Sequence, residues 1–210
     1  MKKDKNAKVD IQKILNIVIM FLIVVLLLLA GYYFYNSKDD VIGTKIEIGD
    51  SNSKLLFPSL ESTFNFKTVN GKDFKIKTAD KKMEIEGLRD KLIFLKIFGW
   101  DCKYCKKEIP QLINLKKDLG DTFEVIAIEA EKHSNEESLK YIKKYGINYD
   151  IVNGNEQKRF YEYLKVHYGW SGVIPLTIVL NKGGNILAYE VGVKSYTLAE
   201  LMKASLKKNQ

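Results

Sequence analysis

The first strong pattern in the chain is an unbroken apolar run. No charged residue occurs from Ile14 to Ser37, and residues 17–31 (IVIMFLIVVLLLLAG) are apolar throughout, followed by Tyr32, Tyr33, Phe34 and Tyr35. A helix needs about 20 apolar residues to cross a bilayer, so residues 14–36 are expected to form a transmembrane anchor. A cleaved signal peptide is the alternative, because Ala30 and Gly31 place small residues near the end of the run. Signal-peptide apolar regions extend only about 7–15 residues, however, and an aromatic cluster suits a membrane–water interface. No cysteine directly follows the run, which argues against a lipoprotein anchor.

Beyond the run the pattern changes to short alternating and short apolar segments. Residues 37–60 mix charges with Gly43 and Pro58 and alternate only briefly at Thr44–Ile48, as expected of a linker. Phe64, Phe66 and Thr68 alternate with polar positions, and Asn70-Gly71 then leads into Phe74 and Ile76. This is a strong hairpin signal. Residues 92–98 (LIFLKIF) read as a central strand covered on both faces. The chain from Cys102 to Leu119 reads as a helix with Ile109, Leu112, Ile113 and Leu119 facing inward and Gly120 as its stop.

The alternation then repeats. Residues 123–130 (FEVIAIEA) predict a second buried strand, and Ser134 with Glu137 predicts a capping box on a helix ending near Gly146. Strand 149–152, helix 157–166, strands 176–180 and 186–191, and a terminal helix capped by Thr197 and Glu200 complete the series. The expected fold class is α/β, a mixed central sheet flanked by helices, opened by a β-hairpin and preceded by one transmembrane helix. The domain division is a basic cytoplasmic tail (1–13), the anchor (14–36), the linker (37–60) and one compact domain (61–210).

Charge orients the anchor. Lys2, Lys3, Lys5, Lys8 and Lys13 precede it against Asp4 and Asp10, whereas Lys38 is met at once by Asp39 and Asp40. The positive-inside rule places the N-terminus in the cytoplasm and the compact domain outside, as a single-pass protein of the cytoplasmic membrane with its domain in the periplasm or its equivalent. The net charge of +8 comes from lysines interleaved with acids along helical stretches. That pattern describes a solvated surface and no nucleic-acid partner.

Placed outside, the two cysteines take on meaning. Cys102 and Cys105 are the only cysteines among 210 residues, in a compartment that oxidises thiols. Three positions apart, they close too small a loop to serve well as a staple. At a helix N-terminus, unpaired N–H groups and the helix dipole favour a thiolate. Cys102 is therefore the expected nucleophile and Cys105 the resolving thiol. Half of a zinc site lacks a second pair, with only His133 and His167 to complete it. Haem attachment would need histidine at position 106, which is lysine. No metal and no cofactor beyond the Cys102–Cys105 disulfide is expected.

The run from Phe98 to Pro110 (FGWDCKYCKKEIP) resembles the active-site region of membrane-tethered thioredoxin-like proteins of the TlpA/ResA family. Over roughly residues 60–208 the order of elements is similar too, so a thioredoxin-like fold is implied. The resemblance makes Glu108 the active-site acid, a helix position one turn after Cys105, and Pro110 a proline within the active-site helix. Pro175 corresponds to a cis-proline facing the disulfide, and with Ile174 and Trp100 it is expected to bind substrate. Two departures stand out: Asp101 intervenes between Trp100 and Cys102, and residues 169–175 (GWSGVIP) are about one residue longer than the family's approach to its proline.

The resemblance implies a monomeric reductase of disulfides in exported proteins, including apocytochromes c during cytochrome c maturation, recharged by a membrane electron donor of the DsbD/CcdA kind. A disulfide-forming oxidase on the same site is the alternative within the class. Lys103, Lys106 and Lys107 favour the thiolate and hence an oxidising poise, and Glu108 acts against them. From another class, a copper chaperone of Sco-like type would use both thiols and a histidine, though with longer cysteine spacing. A peroxidase fits the pair less well. His133 is expected in a solvated loop without a role, and His167 either approaches the site or is structural.

Overall fold

The computed structural model describes residues 7–36 and 58–207, so nearly all of the expected linker and the first residues of the basic tail lie outside the described residues. The chain divides into two units, residues 1–53 and 54–210. In the first, helix α1 spans Ala7–Asn36, which contains the expected anchor. Its described side chains run from Lys13 to Leu29, and all are exposed except half-buried Val25. Among the described residues no helix is long and apolar enough to cross a membrane.

In the second unit, strands β1 (Ser62–Lys67), β2 (Asp73–Ala79) and β3 (Lys82–Ile85) form an antiparallel sheet in that order. β1 and β2 are the expected hairpin, with Phe66 opposite Phe74. The third strand was not legible. Its turn places Lys81 at φ 53°, where glycine or asparagine is the usual signal.

The second sheet holds five strands in the order β6 (Asp150–Asn153), β5 (Phe123–Glu129), β4 (Leu92–Phe98), β7 (Leu176–Leu180) and β8 (Ile186–Val191). β4 runs parallel to β5 and antiparallel to β7. Every residue of β4 is buried. Ile93, Leu95 and Ile97 enter one core cluster with β1–β3 and α4 (Lys158–Tyr168). Leu92, Phe94 and Phe98 enter the other, with α2 (Lys103–Leu119), α3 (Asn135–Tyr145) and α5 (Leu198–Lys207). A central strand with helices on one face and a sheet and helix on the other accounts for its continuous apolar sequence.

Local caps fix the helix ends where the sequence placed them. The Ser134 hydroxyl accepts from Glu137 N, and the Glu137 carboxylate accepts from Ser134 N. Thr197 and Glu200 exchange the same pair of bonds ahead of α5. Pro110 lies inside α2, so no new helix begins there.

Candidate active site

β4 delivers the chain through Gly99, Trp100 and Asp101 to Cys102, the N-cap of α2. Cys102 and Cys105 form a disulfide with their Cα atoms 5.2 Å apart. Cys102 Sγ accepts from Cys105 N at 3.1 Å, so a first-turn N–H points at the sulfur that would carry negative charge. No acidic residue occupies the first turn of α2. The two sulfurs differ in access, because Cys105 is only 2% exposed while Cys102 is half-buried.

Pro175 lies immediately before β7, and the Ile174–Pro175 peptide bond is cis. Its carbonyl accepts from Gly192 N at 2.8 Å, tying it to the end of β8. Pro175, Tyr104, Glu108 and Thr177 line one cavity of about 220 Å³. Ile174 is half-buried and packs against both core clusters. The longer loop ahead of it closes on itself, with Trp170 Nε1 donating to Val173 O at 2.8 Å.

Glu108 bonds to Lys96, a residue outside the Cys-x-x-Cys segment. Lys96 Nζ donates to Glu108 Oε2 at 2.8 Å and to the hydroxyl of Thr177. Thr177 stands directly opposite Lys96 in the β4–β7 ladder. The available signal was a lone lysine in the middle of an otherwise apolar strand.

Trp100 must be corrected. It was expected to bind substrate, but it is 0% exposed. Its ring stacks on Tyr141 at 4.9 Å, and Nε1 donates to buried Ser138 at 3.1 Å. With Asp101 between it and Cys102, the tryptophan turns inward to α3 and is a core residue.

His133 is likewise no solvated loop residue, since its side chain is 15% exposed. Its Nδ1 lies 3.1 Å from Glu129 Oε1 and its Nε2 lies 3.4 Å from Asp101 Oδ2. Glu129 also accepts from the backbone N–H groups of Glu131 and His133. Glu131 Oε2 accepts from Asp101 N at 2.6 Å, in space that a Cβ on Gly99 would occupy. Asp101, Glu131 and His133 thus each bring a possible metal-ligating atom within 4.8 Å of the others, yet these groups bond to one another and to the loop. His167 is structural, with Nε2 2.9 Å from Pro58 O.

The His133 contacts give a pH dependence with a defined sign. Burial opposes the charged ring, but the hydrogen bond and charge of Glu129, with Asp101 and Glu137, outweigh it and raise the His133 pKa above 6.5. The resulting stabilisation is fully present below 6.5 and is lost as pH rises through the folded value. Thermal melts between about pH 5 and 9 should show a decline in this window that is absent in His133→Asn. Parallel melting curves for both proteins would contradict the assignment.

A buried strand running into a Cys-x-x-Cys disulfide at a helix N-terminus, with a cis-proline ahead of the neighbouring strand, defines a thiol–disulfide oxidoreductase of thioredoxin-like fold. The chain belongs to the AhpC/TSA family, which matches residues 69–189. It is 28% identical over 131 residues to the thiol-disulfide oxidoreductase ResA of Bacillus thuringiensis (strain Al Hakam), covering 61% of this chain and 69% of that protein. Against ResA of Bacillus subtilis (strain 168) the identity is 25% over 122 residues, covering 58% and 64%. The thioredoxin domain of a thiol-disulfide oxidoreductase from Bacteroides vulgatus superposes with a TM-score of 0.53 at 17% identity, covering 74% of this chain and 99% of that one, a likeness of fold alone.

Proposed function

We propose that the protein is an extracytoplasmic reductase of disulfides in exported proteins, held to the cytoplasmic membrane by the uncharged run that begins at Ile14, with its N-terminus inside. The unequal access of the two sulfurs carries this reading. Cys102 sits at the helix N-terminus within reach of a partner, and Cys105 is shielded directly behind it. The uncharged run from Ile14 to Ser37, with lysines before it, supports the anchor and its orientation.

In the proposed cycle the Cys102 thiolate attacks a substrate disulfide and forms a mixed disulfide. Cys105, assisted by Glu108 as acid and base, then attacks Cys102 and releases the reduced substrate. Pro175 and Ile174 present backbone beside the disulfide for an extended substrate segment. A membrane donor of the DsbD/CcdA kind restores the dithiol. Apocytochromes c with a Cys-x-x-Cys haem site are the proposed substrates.

Direction is tested by the reduction potential of the Cys102–Cys105 couple in glutathione or dithiothreitol buffers. A value well below that of strong oxidants, which lie near about −120 mV, is expected. A potential at that oxidising end would instead make the protein a disulfide-forming oxidase. Expression of Cys105→Ser should trap covalent partners, and recovery of apocytochrome c among them would identify the substrate.

A further inference from the structure

Lys96 is the charged group that thiol exchange between two cysteines and one acid leaves without a task. It stands mid-strand in β4, between Ala127 of β5 and Thr177 of β7, and its side chain is 1% exposed. An ammonium buried in an apolar strand is unfavourable unless paired. Even when paired it is weak support for stability, since apolar residues of similar volume commonly do as well. Packing alone therefore does not account for a lysine at this position.

Its placement does. Glu108 faces two ways: its carboxylate meets Lys96 at 2.8 Å, and its side chain lines the cavity shared with Pro175 and Tyr104. It lies three residues after Cys105 and so one turn along the same face of α2. Other polar or titratable groups around the pair are Cys105 on α2, Thr177 on β7 and Tyr149 ahead of β6. The Tyr149 hydroxyl is held in its neutral form by burial and by the Glu108 charge. Lys107 of α2 also lines the cavity, and Glu190 of β8, on the same cavity, is held by Lys194 at 2.8 Å. Burial lowers the Lys96 pKa and the Glu108 charge opposes that shift.

We propose that Lys96 is a positioning residue for thiol–disulfide exchange, its ammonium holding the Glu108 carboxylate aimed as proton acceptor for Cys105. The inference rests on the reading of Glu108 as the active-site acid and base. In the resolving step the Cys105 thiol gives its proton to Glu108, and the thiolate attacks Cys102 Sγ. The Cys102–substrate bond breaks as the Cys102–Cys105 bond forms, and the electron pair leaves with the substrate sulfur, which takes up a proton. Two electrons pass from the dithiol to the substrate disulfide. Lys96→Met removes a positive charge 2.8 Å from the carboxylate, and the loss of a neighbouring opposite charge favours a protonated acid, so Cys105 loses its acceptor on the acidic side.

The test is the rate of disulfide reduction between about pH 4 and 9, measured for the wild-type protein, Lys96→Met, Glu108→Gln and the double variant. Lys96→Met should move the acidic limb upward by about one unit, about tenfold in rate on that limb, and approach the wild-type rate at high pH. In the Glu108→Gln background the limb should be absent and Lys96→Met should change nothing further. An unshifted limb in Lys96→Met, a uniform loss at every pH, or an equal effect in the Glu108→Gln background would overturn the role of Lys96 while leaving Glu108 as the acid and base. A limb retained in Glu108→Gln would overturn the reading of Glu108 itself, and the inference with it.

Should Lys96→Met fail to fold, the Lys96 side-chain carbon signals of the reduced wild-type protein decide the matter. They should report a charged ammonium across the acidic limb and shift with it, with that shift abolished in Glu108→Gln. A neutral Lys96 in that range would overturn the proposal.

Discussion

In a Cys102→Ser variant, reduction of insulin disulfides should fall by about a thousandfold or more, to the level measured without protein. A serine hydroxyl at this position lacks the acidity that lets the N-terminal field of α2 generate a nucleophile at neutral pH. Cys105 cannot substitute, because at 2% exposure it offers a substrate disulfide no access. The variant should fold as the reduced wild-type protein does, since a disulfide of sequence separation 3 closes only a small loop. Matching circular dichroism spectra would show this, so that the lost activity reports chemistry. Retained activity would move the attacking sulfur to Cys105 and reverse the roles assigned to the pair.

The parts of this fold that were legible in the sequence are those set by near neighbours. β4 was readable because burial on both faces makes its sequence almost continuously apolar. α3 was readable because Ser134 and Glu137 cap it from three residues apart, and the first hairpin because Asn70-Gly71 supplies its turn. The redox pair was readable for the same reason: strand end, helix N-cap and both sulfurs fall within a few residues. β3 was missed because its turn uses Lys81 at positive φ, with no glycine to announce it.

Long-range partners were the other source of difference. Lys96 reads locally as a blemish in a strand, and its meaning comes from Thr177, 81 residues away, and from Glu108 across the helix. His133 reads locally as a loop residue. Its environment comes from the buried Glu129 carboxylate before it and from Asp101, on a different turn of chain. Lys96 and His133 each meet a residue close in sequence to the cysteine pair, Glu108 three positions after Cys105 and Asp101 directly before Cys102, and neither contact can be read from local sequence.

Trp100 is the clearest case, and its replacement should have the largest effect on stability. Next to an active-site cysteine an aromatic residue suggests a surface for substrate, but Ser138 and Tyr141, which decide its environment, lie on α3. Trp100→Ala should cost about 3–5 kcal/mol, through lost burial and the cavity left against Phe98 and Tyr141. For a domain of this size that is a fall in melting temperature on the order of 10 °C. Trp100→Phe keeps much of the stack and leaves Ser138 without its donor, so a smaller cost of about 1–2 kcal/mol is expected. Urea denaturation gives both values, and kinetics below the melting transition separate the two roles for Trp100. A core residue predicts that the folded fraction of Trp100→Phe keeps its KM for a peptide disulfide. A raised KM at unchanged stability would return Trp100 to the substrate surface, a result at odds with a ring that is 0% exposed.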